Sequence, residues 1–261
     1  MTGKIRLDLL LVQRGLLPDQ DEAQRYIMAG QVRVNGQAAL HPATPAALDD
    51  EVVVASGPRF VSRGGEKLEA ALQAFPLPAA GRVCADVGAS TGGFTDCLLQ
   101  RGAQRVYAID VGHGILDWKL RQDPRVVVME GVNARYLERL PEAVSLVSID
   151  ASFISLKTLL PVVKGWLAEQ GGDVLALVKP QFEAARAQAA RARGVIRDAA
   201  VHRQVLLGVL TAAQQESFAV RGVIRSPLLG PKGNAEFLLH LAWPGEAQPD
   251  LAAWLSDLSL V

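Results

Sequence analysis

A glycine-rich stretch at residues 86–94 reads Asp86-Val-Gly-Ala-Ser-Thr-Gly-Gly-Phe94. It follows a short apolar run typical of a β-strand and precedes a run with helical spacing of apolar residues. In a strand–turn–helix unit, glycines let the backbone approach a ligand closely, and the helix N-terminus favours a polar or negatively charged group. The stretch therefore predicts an α/β fold with a ligand site at this turn.

The sequence on either side of this turn alternates between strand and helix patterns. This alternation predicts a mostly parallel sheet covered by helices on both faces. The last two strands are joined by a turn-rich segment too short for a crossover helix, so we expect them to pair antiparallel. The predicted strands are Arg82–Val87, Arg105–Val111, Val126–Glu130, Ser145–Asp150, Asp173–Val178, Phe218–Arg225 and Glu236–Ala242, and the clearest helices are Phe94–Arg101, Ser155–Ala168 and Ala199–Glu216.

The first part of the chain has a different pattern. Two short amphipathic helices, the second capped by Asp19 or Asp21, precede a strand that ends in Asn35-Gly36, a strong hairpin signal. This predicts a small α+β binding module. We therefore divide the chain into a module at 1–58, a linker at 59–63, an α/β domain at 64–243 and a tail at 244–261.

Composition excludes several classes of protein. The chain has 261 residues, 49% of them hydrophobic, which suffices for one large and one small packed core. Its 27 Lys and Arg balance 27 Asp and Glu, so only a local basic patch could attract a polyanion. The longest run without these charges, Val34–Leu48, contains Pro and Gly and cannot span a bilayer. With two cysteines and no signal-peptide pattern at the start, we expect a cytoplasmic protein.

The glycine stretch is compatible with several ligand-binding or catalytic motifs. A dinucleotide fingerprint fails at Ser90, and a phosphate-binding P-loop fails at Phe94, where it needs lysine. Gly88, Ser90 and Gly92 do fit the G-x-S-x-G nucleophile elbow of a hydrolase. That reading needs a histidine base, and neither His202 nor His240 lies in the loop after the last strand. A purely structural turn also remains open.

An S-adenosylmethionine site is a further interpretation of the same stretch. It needs a carboxylate at the end of the first strand and another at the end of the second, where a carboxylate accepts both ribose hydroxyls. Asp86 and Asp110 occupy these two positions. Together with the glycines they form the candidate cofactor site.

Four charged residues stand at strand ends or at a helix start. Asp150, Lys179 and Glu236 reach the same sheet edge by topology, and Lys67 opens a helix. Surface ion pairs are one explanation. The other is proton removal from a weakly acidic hydroxyl, because burial and a second ammonium favour a neutral lysine base. The histidines, which are scattered through the sequence and do not suggest a metal site, are His41, His113, His202 and His240.

Six motifs in this order resemble the TlyA family over nearly the whole chain, from about Lys4 to Trp243. The family has an S4-type RNA-binding domain before an FtsJ-type methyltransferase domain. The motifs are Asp86–Phe94, Leu116-Asp-Trp118, Asn133-Ala-Arg135, Ser152-Phe-Ile-Ser-Leu156, Lys179-Pro-Gln-Phe-Glu183 and Gly230-Pro-Lys-Gly-Asn234.

The resemblance implies a Rossmann-like class I methyltransferase with a seven-stranded sheet. It implies cytidine 2′-O-methylation in ribosomal RNA with S-adenosylmethionine, acting on ribosomal subunits. The sequence leaves the oligomeric state open, and a monomer is the favoured expectation. Lys179 would take the hydroxyl proton, positioned and tuned by Lys67, Asp150 and Glu236. The implied cofactor residues are Gly88, Ser90, Gly92, Gly93, Phe94, Asp110 at the ribose and Asn133 near the adenine.

Two features depart from the family pattern. Residues 1–63 hold seven basic and seven acidic residues, so RNA binding would rest on one face carrying Arg6, Arg14, Arg25 and Arg33. Residues 184–193 are rich in alanine and arginine, which favours helix. That segment is either a solvated helix or an RNA-facing lid. A non-catalytic RNA-binding protein and a membrane-active haemolysin remain alternative functions.

Overall fold

The computed structural model describes residues 4–55, 57–256 and 258–260, together with all their side chains except that of Arg186. The chain forms two compact units, Met1–Arg59 and Phe60–Val261. The segment predicted as a linker is thus divided between them. Phe60 is buried in the core of the second unit, and the Val61 amide donates to Asp96 Oδ2 over 2.9 Å.

The first unit contains two helices and two small antiparallel sheets. Strands β1 and β4 form one sheet, and β3-β2-β5 form the other. Asp19 caps the second helix by accepting the Glu22 amide, and Asn35 and Gly36 both have positive φ, as the hairpin turn requires. The elements are β1 (Lys4–Arg6), α1 (Leu7–Gln13), α2 (Gln20–Met28), β2 (Val32–Val34), β3 (Gln37–Ala39), β4 (Pro45–Ala47) and β5 (Val52–Val54).

The second unit is a seven-stranded sheet with helices on both faces. Its elements are α3 (Gly64–Ala74), β6 (Val83–Val87), α4 (Gly93–Gln100), β7 (Arg105–Asp110), α5 (Trp118–Gln122), β8 (Val126–Glu130), a 3₁₀ turn (Ala134–Tyr136), β9 (Leu146–Ile149), α6 (Leu156–Lys164), β10 (Gly172–Val178), α7 (Pro180–Glu183), α8 (Arg186–Arg191), α9 (Ala199–Gln215), β11 (Ala219–Arg225), β12 (Phe237–Trp243) and a second 3₁₀ turn (Leu251–Leu255).

The strand order is β11-β12-β10-β9-β6-β7-β8. Only β12 runs against its neighbours, and it lies between β10 and β11. Its register pairs Phe237 with Val178, so the residue before β12 meets the residue after β10. The predicted fold, a mostly parallel seven-stranded sheet with an antiparallel last strand, is confirmed.

Alternate residues of the central strands enter two different cores. Ala85, Val87 and Ile149 point to the face covered by α6 and α9, whereas Cys84 and Leu175 point to the face covered by α3 and α4. Because both faces are buried, these strands are mostly apolar, as parallel strands usually are, with Asp86 and Ser148 as buried exceptions. Both layers of helices leave the carboxyl ends of the parallel strands open.

The tail returns to the second unit, where Leu255 is buried in the core beside α9 and β11. Within the described parts of the chain, no helix combines the length and apolar character needed to span a bilayer.

Candidate active site

The turn between β6 and α4 is held in a shape that only glycine allows at two points. Gly88 has φ +83°, and a Cβ there would lie 2.7 Å from the Asp150 carbonyl oxygen. Gly92 has φ +99°, and a Cβ there would overlap the Leu120 side chain. The turn therefore lies tightly against the end of β9 and against α5, and its outer surface faces a cleft.

Three connected cavities form this cleft, and all three share Gly88, Ser90 and Asp150. We name each after a residue in its wall. The Asp110 lobe has a volume of about 290 Å³, the Lys179 lobe about 490 Å³ and the Phe94 lobe about 240 Å³.

The Asp110 lobe is an apolar slot with a carboxylate in its wall. Asp110 Oδ2 accepts the Ser90 amide at 2.8 Å, and Oδ1 accepts the Gly112 amide at 2.7 Å. Each oxygen retains a second lone pair for a ligand hydroxyl. Asn133 lies in the same wall, held by the Val132 amide bonding to the Asp110 carbonyl. Val111, Ile115 and Ile154 supply apolar surface, so the slot suits a flat ring joined to a sugar.

Asp86 is not among the described residues that line the three lobes. It is fully buried behind the turn and accepts Thr95 Oγ1 at 2.7 Å and Ser148 Oγ at 3.0 Å. Burial raises the pKa of its carboxyl to about 7. Because its side chain is fully buried and is not among the described residues lining the lobes, the predicted contact of Asp86 with a cofactor is not visible in this cleft and stays a prediction.

The predicted loop residues divide in a similar way. Gly88, Ser90, Gly93 and Phe94 line the cleft. Gly92 does not appear among the described lining residues, and its part is to shape the turn.

The structure brings the four predicted charged residues together in the Lys179 lobe as two ion pairs. Lys67 Nζ lies 2.6 Å from Glu236 Oε2, and Lys179 Nζ lies 2.7 Å from Asp150 Oδ1. Glu236 is 1% exposed and both lysines are buried, so the charges are compensated inside the protein rather than by water.

The Lys179 ammonium has three oxygen partners. It donates to Ser152 Oγ at 2.9 Å and to the Asp150 carbonyl oxygen at 3.3 Å, and it lies 2.7 Å from Asp150 Oδ1, with which it forms an ion pair but no hydrogen bond. The two hydrogen bonds and the ion pair together orient the amine. Such an amine can receive a proton from a hydroxyl in the lobe only in its neutral form.

Glu236 reaches this lobe because β12 is inserted antiparallel beside β10. The preceding turn holds it there, since a Cβ at Gly230 would overlap the Glu236 carboxylate. Asn234, 3% exposed, closes the turn. Its Nδ2 donates to the Gly194 carbonyl at 2.8 Å and its Oδ1 accepts the Ile196 amide at 2.9 Å.

Sequence reasoning assigned no role to the aromatic residues at the mouth of the cleft. Phe153 is 90% exposed, has φ +64° and lines both the Asp110 and Lys179 lobes. Its ring centroid lies 4.9 Å from that of Phe182. The available signal was their position in two of the six motifs, three residues after Asp150 and Lys179 respectively. A large, solvent-exposed aromatic ring at the mouth of a cleft offers apolar surface for a ligand to contact.

The four arginines predicted to bind RNA are all exposed on the first unit. Arg6 is engaged by the buried Asp8, with bonds of 3.0 and 2.7 Å. That guanidinium, with Gln20 and Gln24, holds the pKa of Asp8 well below its usual range. Arg14 donates to the Leu48 carbonyl, Arg33 donates to the Gly36 carbonyl, and Arg25 lies on the exposed face of α2.

The hydrolase alternative lacks its base. His240 Nε2 bonds Asp173 Oδ1 at 2.8 Å, at the start of β10 and so at the sheet edge opposite Ser90. Both ring nitrogens of His202 face backbone carbonyl oxygens, of Leu260 and Ile196. Neither histidine can therefore serve a Ser90 nucleophile. Across residues 4–55, 57–256 and 258–260, no three His, Cys, Asp or Glu residues are grouped to hold a metal ion.

Comparison with known proteins identifies the family. An S4 domain model matches residues 5–52, and an FtsJ-like methyltransferase model matches residues 60–243. The 16S/23S rRNA (cytidine-2′-O)-methyltransferase TlyA of Mycobacterium tuberculosis is 47% identical over 92% of this chain and 91% of its own length. The chain belongs to the TlyA family.

Other TlyA-family proteins and related structures agree with this assignment. Bacillus subtilis YqxC is 48% identical over 94% of this chain and 88% of its own length. A solved structure from Streptococcus thermophilus, named a hemolysin, is 43% identical, covers 97% of this chain and 93% of its own, and superposes with a TM-score of 0.72. The resemblance drawn from the six motifs is confirmed.

Proposed function

We propose that this protein transfers a methyl group from S-adenosylmethionine to the 2′-hydroxyl of cytidine in ribosomal RNA. The observation that carries the proposal is the arrangement of Lys67–Glu236 and Lys179–Asp150 as two ion pairs in a lobe that opens onto the glycine turn. The names of TlyA relatives describe this reaction for those proteins.

The residues present fit S-adenosylmethionine. The Asp110 lobe offers an apolar slot for an adenine ring and carboxylate lone pairs for ribose hydroxyls. A side chain at position 88 would collide with Asp150, and Gly88 has none. The surface at the junction of the lobes is therefore formed by backbone. The Phe94 lobe includes Arg63 and the first residues of α3 and α4, which suits a carboxylate. When bound, the cofactor supplies an electrophilic methyl group.

The chain's own residues then remove the proton of the 2′-hydroxyl. Neutral Lys179 takes the proton of the 2′-hydroxyl onto Nζ, and Asp150 and Ser152 keep that amine directed into the lobe. The Lys67 ammonium, fixed by Glu236, places positive charge beside the oxygen as it becomes negative. Lys67, Lys179 and Glu236 are buried, which limits the water that can compete for these groups.

The remaining sequence-based predictions are part of the same proposal. Residues 1–58 bind RNA through Arg6, Arg14, Arg25 and Arg33, residues 64–243 carry out the transfer, and 59–63 join them ahead of the tail at 244–261. The protein acts in the cytoplasm, as a monomer, on ribosomal subunits.

Mass-spectrometric mapping of nucleotides tests the proposal. Purified 30S and 50S subunits from a strain lacking the enzyme are incubated with the protein and S-adenosylmethionine. A new 2′-O-methylcytidine that depends on Lys179 is expected. Methylation only on a base, or none on either subunit, would contradict the proposal.

Haemolysis is a second candidate, because Hemolysin A of Brachyspira hyodysenteriae is 39% identical over 90% of this chain. Release of haemoglobin from red cells by wild-type protein and by a Lys179→Ala variant separates the two activities. Equal lysis by both would establish a membrane activity independent of methyl transfer.

A further inference from the structure

Two loops form opposite walls of the Lys179 lobe. The Ser152 loop is residues 150–156, and the Lys179 segment is residues 179–183. The first carries Asp150 and Phe153, and the second carries Lys179 and Phe182. Asp150 and Lys179 directly follow the paired strands β9 and β10, so the sheet sets the spacing of their backbones, and the loops beyond the strands influence the direction of the Lys179 side chain.

The Lys179 segment is anchored by β10 at its first residue only. Its helix, α7, is a single turn of four residues, Pro180–Glu183, and isolated helices of that length are unstable in water. The chain continues into α8, which has six residues. On one side α7 lies against α9. On the side facing the cleft, its exposed contact is Phe182 against Phe153, a ring that is itself 90% exposed.

Glu183 supplies a stronger link on that side. Its Oε2 accepts Ser155 Oγ at 2.6 Å and its Oε1 accepts the Leu156 amide at 2.6 Å. Ser155 is the N-cap of α6, and Leu156 is its first residue. A carboxylate at this helix start satisfies an otherwise free amide and is favoured by the helix dipole.

We propose that Glu183 is a positioning residue for the methyl-transfer reaction. By joining the end of the Lys179 segment to the start of α6, it holds the two loops together beyond the paired strands β9 and β10 and thereby helps to set the direction of the Lys179 amine. Glu183 lies four residues beyond Lys179 and is not among the described residues that line the lobe. It would act on the Lys179 amine indirectly, through Asp150 and Ser152 on the other loop. This inference rests on the proposed function only for its kinetic test, which measures methyl transfer.

The two bonds suggest informative variants. Glu183→Gln keeps an oxygen for the Leu156 amide and places an amide N–H beside Ser155 Oγ, so the walls stay joined. Glu183→Ala removes both links, and Ser155→Ala removes one of them from the other wall. Glu216→Ala is a matched control, because it deletes a glutamate paired with Lys164 far from the cleft.

Acetic anhydride labelling of the full chain, with each lysine quantified by mass spectrometry, reports on Lys179 without any RNA. Labelling at pH 8 relative to the exposed Lys119 is expected to rise several-fold at Lys179 in Glu183→Ala, less in Ser155→Ala, and hardly in Glu183→Gln or Glu216→Ala. Lys67 should stay unchanged, since its partner Glu236 lies on β12.

Methyl transfer to ribosomal subunits should follow the same ranking. We expect kcat to fall about tenfold in Glu183→Ala, with the Kd for S-adenosylmethionine unchanged. Unchanged Lys179 labelling in both alanine variants, or equal increases at Lys67 and Lys179, overturns the proposal. If wild-type protein methylates no RNA while the labelling ranking holds, the proposed function fails and the positioning role stands.

Discussion

The Asp110 lobe and the Lys179 lobe are built in different ways. The Asp110 lobe is made mainly of backbone and apolar surface, and its carboxylate is fixed by two backbone amides. The Lys179 lobe is made of charged side chains that fix one another across four elements of the chain. Both lobes need the assembled sheet, but the Asp110 carboxylate is oriented by backbone amides, whereas each charged group of the Lys179 lobe is oriented by another side chain.

Removing the base should have the largest effect. Lys179→Ala leaves Asp150 without its partner, and we expect kcat to fall by about 10²–10⁴-fold, with binding of S-adenosylmethionine retained. Rapid-quench transfer assays and calorimetry measure the two quantities. The exposed Lys157→Ala serves as control. A loss of cofactor affinity equal to the loss of rate would show that the two lobes are not separable.

Changing Asp110, the carboxylate of the other lobe, should weaken cofactor binding rather than lower kcat. Asp110→Asn loses the charge that accepts ligand hydroxyls, so the Kd for S-adenosylmethionine should rise about 10- to 100-fold, as expected for a charged hydrogen bond. Saturating cofactor should restore kcat. Calorimetry beside the exposed control Glu138→Gln measures this, and an unchanged Kd contradicts the assignment of Asp110.

Phe153 lines both lobes, so removing its ring tests whether RNA or S-adenosylmethionine contacts the surface between them. If an RNA base stacks on its exposed ring, Phe153→Ala should raise the KM for ribosomal subunits about tenfold, within the range for one base–aromatic contact. Phe153→Tyr should remain close to wild type. Should the KM for S-adenosylmethionine rise instead, the ring belongs to the Asp110 lobe alone.

Asp86 should have the smallest effect on turnover, because it lies behind both lobes. Its pKa is raised from 3.8 to about 7, so between these values the folded chain holds a proton that the unfolded chain has lost. Stability from this group is therefore greatest below about pH 4 and declines as the pH rises through about 7.

Asp86→Asn removes this titration. We expect turnover within about twofold of wild type and a Tm, relative to wild type, that increases by a few degrees between pH 4 and pH 8. Differential scanning calorimetry across this range tests it. A constant Tm difference would show that Asp86 is not held in the way its burial indicates.

Much of the sheet and the convergence at its edge could be predicted from sequence. Strand ends and one antiparallel strand are enough to bring Asp150, Lys179 and Glu236 to one place. The pairing of Lys67 with Glu236 could not be predicted, because it joins residues 169 positions apart. Strands β1 and β4 were not predicted, because a strand of three residues is too short to show a recognisable alternation of polar and apolar residues.

Asp86 shows a different limit of sequence reasoning. A carboxylate at a strand end looks the same whether it faces a ligand or the interior. Only the hydroxyls of Thr95 and Ser148, which arrive from α4 and β9, decide between the two.

The position of β12 has a consequence for biosynthesis. Glu236 precedes a strand inserted between two that are made earlier, so the sheet must admit it after β10 and β11 have emerged from the ribosome. Until then Lys67 lacks Glu236, the carboxylate with which it pairs in the folded protein. On the proposed mechanism, we therefore expect a product truncated before residue 236 to lack methyl-transfer activity.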